Sequence, residues 1–238
     1  CAEHSKKPAH ANRKIHRSPR AMEEVSYDIA VCKNTGKNNM HYFMVFVDCH
    51  TRLKAAYAMR TKSGADCLRA FQSFMNDYGT VTSIETKEGL LVVHPDKQVK
   101  RIQYDEDSAL TGGPFAAYLR LHNISHRACS PTHRQSNGLA EQAIGQIVRD
   151  ANKLLSAADL SPEFWPYAVE HATMIMNLIP IKGLRTKNNT KILLTPFERC
   201  TGIRPDWTKL RLFGAAVFFP KLSEEPARTN GSSIPKSL

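Results

Sequence analysis

Tyr42-Phe43-Met44-Val45-Phe46-Val47 is an unbroken apolar run that stops at Asp48. A run without polar alternates is the pattern of a strand buried on both faces. Upstream, Val25-Ser26-Tyr27-Asp28-Ile29-Ala30-Val31 alternates and reads as a strand, with a polar turn at Gly36 between the two. Downstream, Leu53 to Met59 returns after a short turn, so the second and third strands form a hairpin. Ser63 as N-cap, Cys67, Leu68, Phe71, Phe74 and Met75 at helical spacing, and Gly79 as a stop describe a helix over 63–78. Ile84 to Val93 fits neither period. Val99 to Tyr104 reads as a fourth strand ending at Asp105, Pro114 to Leu121 as a short helix, and Ile124 to Cys129 as a fifth strand. After a polar loop from Pro131 to Gly138 comes a long helix over about 137–157, with the stripe Leu139, Ala143, Ile147, Ala151, Leu154 and Leu155. A second helix runs from about Pro162 to Leu178. The fold class is α/β: strands near 25–31, 42–48, 53–59, 98–104 and 124–129 share one mixed five-stranded sheet flanked by helices.

The chain has 238 residues, 42% of them hydrophobic, enough for one sizeable core. No stretch of about 18 apolar residues is present, which excludes a membrane-spanning helix and makes a membrane partner unexpected. The start, Cys1-Ala2-Glu3-His4-Ser5-Lys6-Lys7, has no apolar core and is not a secretory signal. Beginning without Met, the chain is expected to be a piece of a longer one. Lys and Arg number 33 against 22 Asp and Glu, a formal charge of +11 that favours an anionic partner, most commonly nucleic acid. Cysteines at 1, 32, 49, 67, 129 and 200 form no CxxC pair and read as buried, reduced thiols. Three segments are expected: a basic lead-in over 1–21, a packed core over 22–180, and a basic, loop-rich extension over 181–238.

Carboxylates at the ends or exposed faces of these elements are the candidate chemistry. Metal-assisted phosphoryl transfer requires several to converge and hold two divalent cations. Asp28 lies within the first strand, Asp105 at the end of the fourth, and Glu141 near the start of the long helix. Each has a plainer reading. Asp28 could be an exposed residue on a half-buried strand, Asp105-Glu106-Asp107 a solvated turn, and Glu141 a partner for its helix dipole. Together they carry more, because a single sheet could bring all three to one place.

From about Asp28 to Gly214 the chain resembles retroviral and retrotransposon integrases, most closely those of copia-type elements. Thirty-five residues separate Asp105 from Glu141, as in the family's Asp…Asp-x35-Glu signature. Phe46-Val47-Asp48-Cys49-His50-Thr51-Arg52 looks like F-x-D-x-x-T-R, and Lys62-Ser63 like the K-S that follows. Ser130 to Glu141 looks like P-x-x-P-Q-Q-N-G-x-A-E, and Phe164-Trp165 with Ala168 like F-W-x-x-A. Thr195-Pro196-Phe197-Glu198, Thr201-Gly202 and Leu210-Arg211-Leu212-Phe213-Gly214 look like T-P-F-E…T-G…L-R-x-F-G. The departures are Asp105-Glu106-Asp107-Ser108-Ala109-Leu110 where the family has D-N-G-x-E-F, Ala30-Val31 in place of G-P, and Gln142 in place of Arg.

The resemblance implies a ribonuclease-H-like fold and metal-dependent 3′-end processing and strand transfer of DNA. It implies Asp28, Asp105 and Glu141 as catalytic and metal-binding residues, and two Mg²⁺ or Mn²⁺ as cofactors. The partner would be double-stranded DNA, both element ends and target. The enzyme would act as a homo-oligomer in the nucleus, with a cytoplasmic particle stage. Gln142, Gln146, Arg149 and Lys153 recur along the helix beside Glu141, and Gln135 and Asn137 precede it. These six are the candidate DNA contacts, against the plainer reading of a solvated helix face and, for Asn137, a cap. His126 and His133 read as structural or solvent-facing. Cys1 and His4 could be the tail of an upstream zinc module, but two ligands cannot close a tetrahedral site. A nuclease that cuts without joining and a DNA-binding remnant without catalysis are the rival readings.

Overall fold

In the computed structural model, the described residues are 18, 20–79, 84–85, 91–92, 99–104, 112–128, 138–181 and 193–216. The apolar run lies in β2 (Met40–Asp48), and its residues divide between two hydrophobic clusters. Met44 and Phe46 point into one, Phe43, Val45 and Val47 into the other, and all five are buried. β2 pairs antiparallel with β1 (Glu24–Gly36) on one side and β3 (Lys54–Met59) on the other. Two further strands, β6 (Arg101–Tyr104) and β7 (Ser125–Ala128), extend the sheet in parallel, giving the order β3-β2-β1-β6-β7.

The sheet is covered on both faces. Cys67, Ala70, Phe71 and Phe74 of α1 (Gly64–Phe74) and Phe115 and Leu119 of α2 (Gly113–Leu121) fill the cluster of Met44 and Phe46. Ala143, Ile147, Ala151 and Leu155 of α3 (Gly138–Ala157) and Trp165, Ala168, Val169 and Ala172 of α4 (Trp165–Leu178) fill the other.

Several boundaries differ from the sequence reading. β1 runs on to Gly36, and the turn falls at Lys37–Asn39, where Asn38 and Asn39 both have φ near 60°. Short-range polar side chains tolerate that left-handed conformation. The helix expected over 63–78 is α1 followed by a π-helical turn over Met75–Gly79. Its cap holds: Ser63 accepts the Asp66 N–H. The unassigned stretch from Ile84 to Val93 contains β4 (Ile84–Glu85) paired antiparallel with β5 (Leu91–Val92), a separate two-stranded sheet. A 3-10 turn, Pro162–Phe164, precedes α4. In α3 the buried row includes Ala140, while Leu139 and Leu154 are only partly covered.

Two side-chain devices fix the edge at β3. Asp48 is fully buried and accepts hydrogen bonds from Met22 N at 3.0 Å, Thr51 N at 2.9 Å and Thr51 Oγ1 at 2.5 Å. It staples the β2–β3 turn, in which Arg52 takes φ 66°. Buried Asn177 of α4 donates to Lys54 O at 2.6 Å and accepts from Lys54 N at 2.8 Å, pairing with the edge strand as another strand would. Beyond residue 192, α5 (Pro196–Thr201) is capped by Thr195, which accepts the Glu198 N–H at 2.9 Å. Cys200 enters the α1–α2 cluster, and Phe213 packs against the α3–α4 cluster. Cys49, Cys67 and Cys200 are buried and Cys32 is half-buried, and none of the four is in a disulfide; Cys1 and Cys129 lie outside the described residues. The lead-in before residue 18 and everything beyond 216 also lie outside them.

Candidate active site

The alternation of β1 decides which way Asp28 faces. Ser26, Asp28 and Ala30 share one side of the strand, and their partners on β2 are Val47, Val45 and Phe43. Those three partners and Ala30 all pack in the α3–α4 cluster, so Asp28 is on the face that α3 and α4 cover. It is half-buried, and one carboxylate oxygen accepts the Ile29 N–H at 2.8 Å. On α3 the buried row begins at Ala140, and Glu141 follows it in the first turn, exposed. Glu141 therefore lies about 100° round the helix from that row. At this end of the helix the backbone N–H groups favour an anion. Asp28 and Glu141 thus belong to the same layer of the molecule.

β6 runs beside β1 with Val25 opposite Ile102 and Ser26 opposite Gln103. Tyr27 and Tyr104 follow, their rings stacked with centroids 5.9 Å apart on the α1–α2 face. Asp28 is the next residue of β1; Asp105, which follows Tyr104 in sequence, lies outside the described residues. So do Gln135, Asn137 and His133. Gln103 alternates with Ile102 and Tyr104 and so faces the Asp28 side; it is buried, and its Oε1 has no hydrogen-bond partner among the described residues.

Among the described residues no group of three His, Cys, Asp or Glu side chains is placed to hold a metal ion. The carboxylates of Asp28 and Glu141 offer oxygen donors, and Cys32, the thiol further along β1 on the same face, has its pKa pushed up to about 12 by burial, so it stays protonated rather than a metal-binding thiolate. Hard divalent cations such as Mg²⁺ take oxygen donors, whereas zinc sites draw on thiolate and imidazole. The residues present therefore fit Mg²⁺ or Mn²⁺. Cys1 and His4 lie outside the described residues.

The proposed DNA stripe is on the outer side of α3. Gln142, Arg149 and Lys153 are exposed and Gln146 is half-buried. Lys153 pairs with Asp150 at 2.9 Å. Arg149 Nη1 lies 3.5 Å from where a Cβ would stand on Gly145, one turn beyond Glu141. On the opposite face of the sheet His126 stacks on Tyr104 at 4.1 Å, and its Nε2 is 2.9 Å from the Tyr27 hydroxyl. Burial lowers its pKa to about 4, so it is a neutral packing element near pH 7. The sequence reading passed over Gln103 and Asn177, and treated Asp48 only as part of a matching fragment.

No protein-family model matches the chain. It is 29% identical over 204 residues, 84% of its length, to the retrovirus-related Pol polyprotein from transposon RE1 of Arabidopsis thaliana. It is 27% identical over 194 residues, 82% of its length, to the corresponding polyprotein from transposon TNT 1-94 of Nicotiana tabacum. The chain spans only 12% and 13% of the length of these two relatives. In three dimensions it is similar to the HTLV-2 integrase catalytic core domain in complex with magnesium, with TM-score 0.54 and 15% identity over 77% of this chain and 99% of that one. It is also similar to a chain of the simian T-cell lymphotropic virus intasome in complex with PP2A regulatory subunit B56 gamma, with TM-score 0.57 and 16% identity over 88% of this chain and 63% of that one. At these identities the structural likeness is one of fold. The chain is a homologue of part of the Pol polyproteins of copia-type retrotransposons, built on the ribonuclease-H-like fold of retroviral integrase catalytic cores.

Proposed function

We propose that this chain is the catalytic core of a retroelement integrase, a polynucleotidyl transferase that trims element DNA ends and joins them to target DNA. The observation that carries the reading is that half-buried Asp28 faces the layer whose helix α3 presents Glu141 in its first turn. Asp105 follows in sequence the last described residue of β6, the strand beside β1, and its 35-residue interval to Glu141 supports it as the third carboxylate. Asp28, Asp105 and Glu141 would hold two Mg²⁺ or Mn²⁺, and the magnesium complex of the HTLV-2 core supports that choice. Bound there, the cations would activate the attacking oxygen and neutralise charge developing on the phosphate.

The protein's own contribution is positional. The carboxylates fix where a phosphodiester must sit, and the half-buried setting of Asp28 strengthens its electrostatics. Gln142, Gln146, Arg149 and Lys153, with Gln135 and Asn137 ahead of the helix, would hold the DNA backbone. The net charge of +11 favours that association. The intasome and the trimeric and dimeric core domains among the structural neighbours support a homo-oligomer on double-stranded DNA. Its place of work would be the nucleus, reached from a cytoplasmic particle.

The test is a strand-transfer assay with the full chain, Mg²⁺ or Mn²⁺, and a short duplex bearing the ends of its own element. Joined product is expected, and Asp28→Asn or Glu141→Gln should each reduce it by on the order of a hundredfold or more. Cleavage without joining would make the chain a nuclease. Metal-independent DNA binding with no product would make it a DNA-binding protein without catalysis.

A further inference from the structure

Gln103 is 5% exposed on an interior strand of the sheet, β6, between β1 and β7. Its carbonyl Oε1 is buried without a partner among the described residues, although Gln103 is registered with Ser26 of β1 on one side and Arg127 of β7 on the other. Buried acceptors are nearly always satisfied, and an exception signals strain, function, or an absent water or ion. Methionine or leucine would fill the same space without an unmet acceptor.

Position narrows the explanation. Gln103 stands opposite Ser26, and Asp28 is the next residue of β1 on that face, about 6.6 Å further along the strand. A glutamine side chain can cover most of that distance. Mg²⁺ dehydrates reluctantly and keeps several waters, whose hydrogens point outward as strong donors. A neutral acceptor beside the carboxylates can orient such a water without adding charge to the carboxylate cluster.

We infer that Gln103 is a positioning residue whose Oε1 accepts a hydrogen bond from a water on the divalent cation held by Asp28 and Glu141. This rests on the proposed integrase reading. Residues that hold a metal's ligands in place typically change metal affinity by 10- to 100-fold when replaced.

The experiment is thermal unfolding of the full chain across a Mg²⁺ titration, for wild type, Gln103→Met and Gln103→Glu. The wild-type Tm should rise with Mg²⁺. Gln103→Met should unfold at the same temperature or higher without metal, and need about tenfold more Mg²⁺ to reach its midpoint. Gln103→Glu restores the acceptor, so its midpoint should return to the wild-type value or below. A Gln103→Met midpoint equal to that of wild type overturns the inference alone, as does a Gln103→Glu midpoint as weak as that of Gln103→Met. A wild type that does not respond to Mg²⁺ overturns the cation site itself, and this role with it.

Discussion

Asp28 and His126 occupy opposite faces of one sheet, and their surroundings set opposite chemistry. Asp28 is half-buried on the face of α3 and α4, with a backbone N–H already donated to it. His126 is stacked between aromatic rings, with Phe115 edge-on at 6.0 Å. Burial lowers its pKa from 6.5 to about 4. Between those values the unfolded chain binds a proton that the folded chain refuses, so stability falls as pH drops through that window. His126→Phe keeps the stacking and removes the titration. Its Tm against pH should be flatter from 6.5 to 4, and at pH 7 it should lose about 1 kcal/mol with the Tyr27 contact. A slope identical to wild type would assign the acid sensitivity to carboxylates instead. Residue by residue, the sequence exposes what spacing marks. Asp28 and Glu141 stand at recognisable points of a strand and a helix. Gln103 carries no spacing signal, because its unmet acceptor depends on what neighbouring strands and α3 leave unpaired. Asn177 looks like any polar residue late in a helix until β3 is placed against it.

At the scale of elements, two glycines show how differently the same substitution reads. Gly36 ends β1 where α4 begins, and a Cβ there would stand 2.7 Å from Pro166 Cγ and Trp165 Nε1. Its φ of −82° is ordinary, so the requirement is one of space rather than backbone conformation. Trp165 Nε1 donates to Asn34 O at 2.9 Å, tying the start of α4 to the end of β1. Gly36→Ala must break that tie or displace the proline, at a cost of about 1–3 kcal/mol. Gly145 is mid-helix on α3, and a Cβ would meet only Arg149 Nη1 at 3.5 Å, an ordinary contact. Gly145→Ala should therefore stabilise by up to about 1 kcal/mol. Thermal denaturation of the two variants checks both signs; equal effects would show that the β1–α4 junction is not tightly packed. The apolar run of β2 was legible because burial on both faces leaves no polar alternate. The pair β4 and β5 was not, since two-residue strands are too short to show a period.

At the scale of the whole molecule, the proposed reaction centre is a product of topology. The parallel pairing of β1 with β6 and the packing of α3 on one face would gather carboxylates that the chain keeps far apart. The sequence conveyed the element order and the 35-residue interval between Asp105 and Glu141. It did not convey which helices cover the face that Asp28 takes, which follows from strand register and packing. Three acids crowd the second position, Asp105, Glu106 and Asp107, where the resembling family carries one Asp followed by Asn-Gly. The interval supports Asp105: it alone of the three acids is separated from Glu141 by 35 residues, as in the resembling family. The most direct test compares Asp105→Asn with Asp107→Asn in one strand-transfer assay with Mn²⁺. The account predicts that Asp105→Asn abolishes joining and Asp107→Asn leaves it within about threefold of wild type, as for a surface substitution. Loss of joining in Asp107→Asn with activity retained in Asp105→Asn would contradict it.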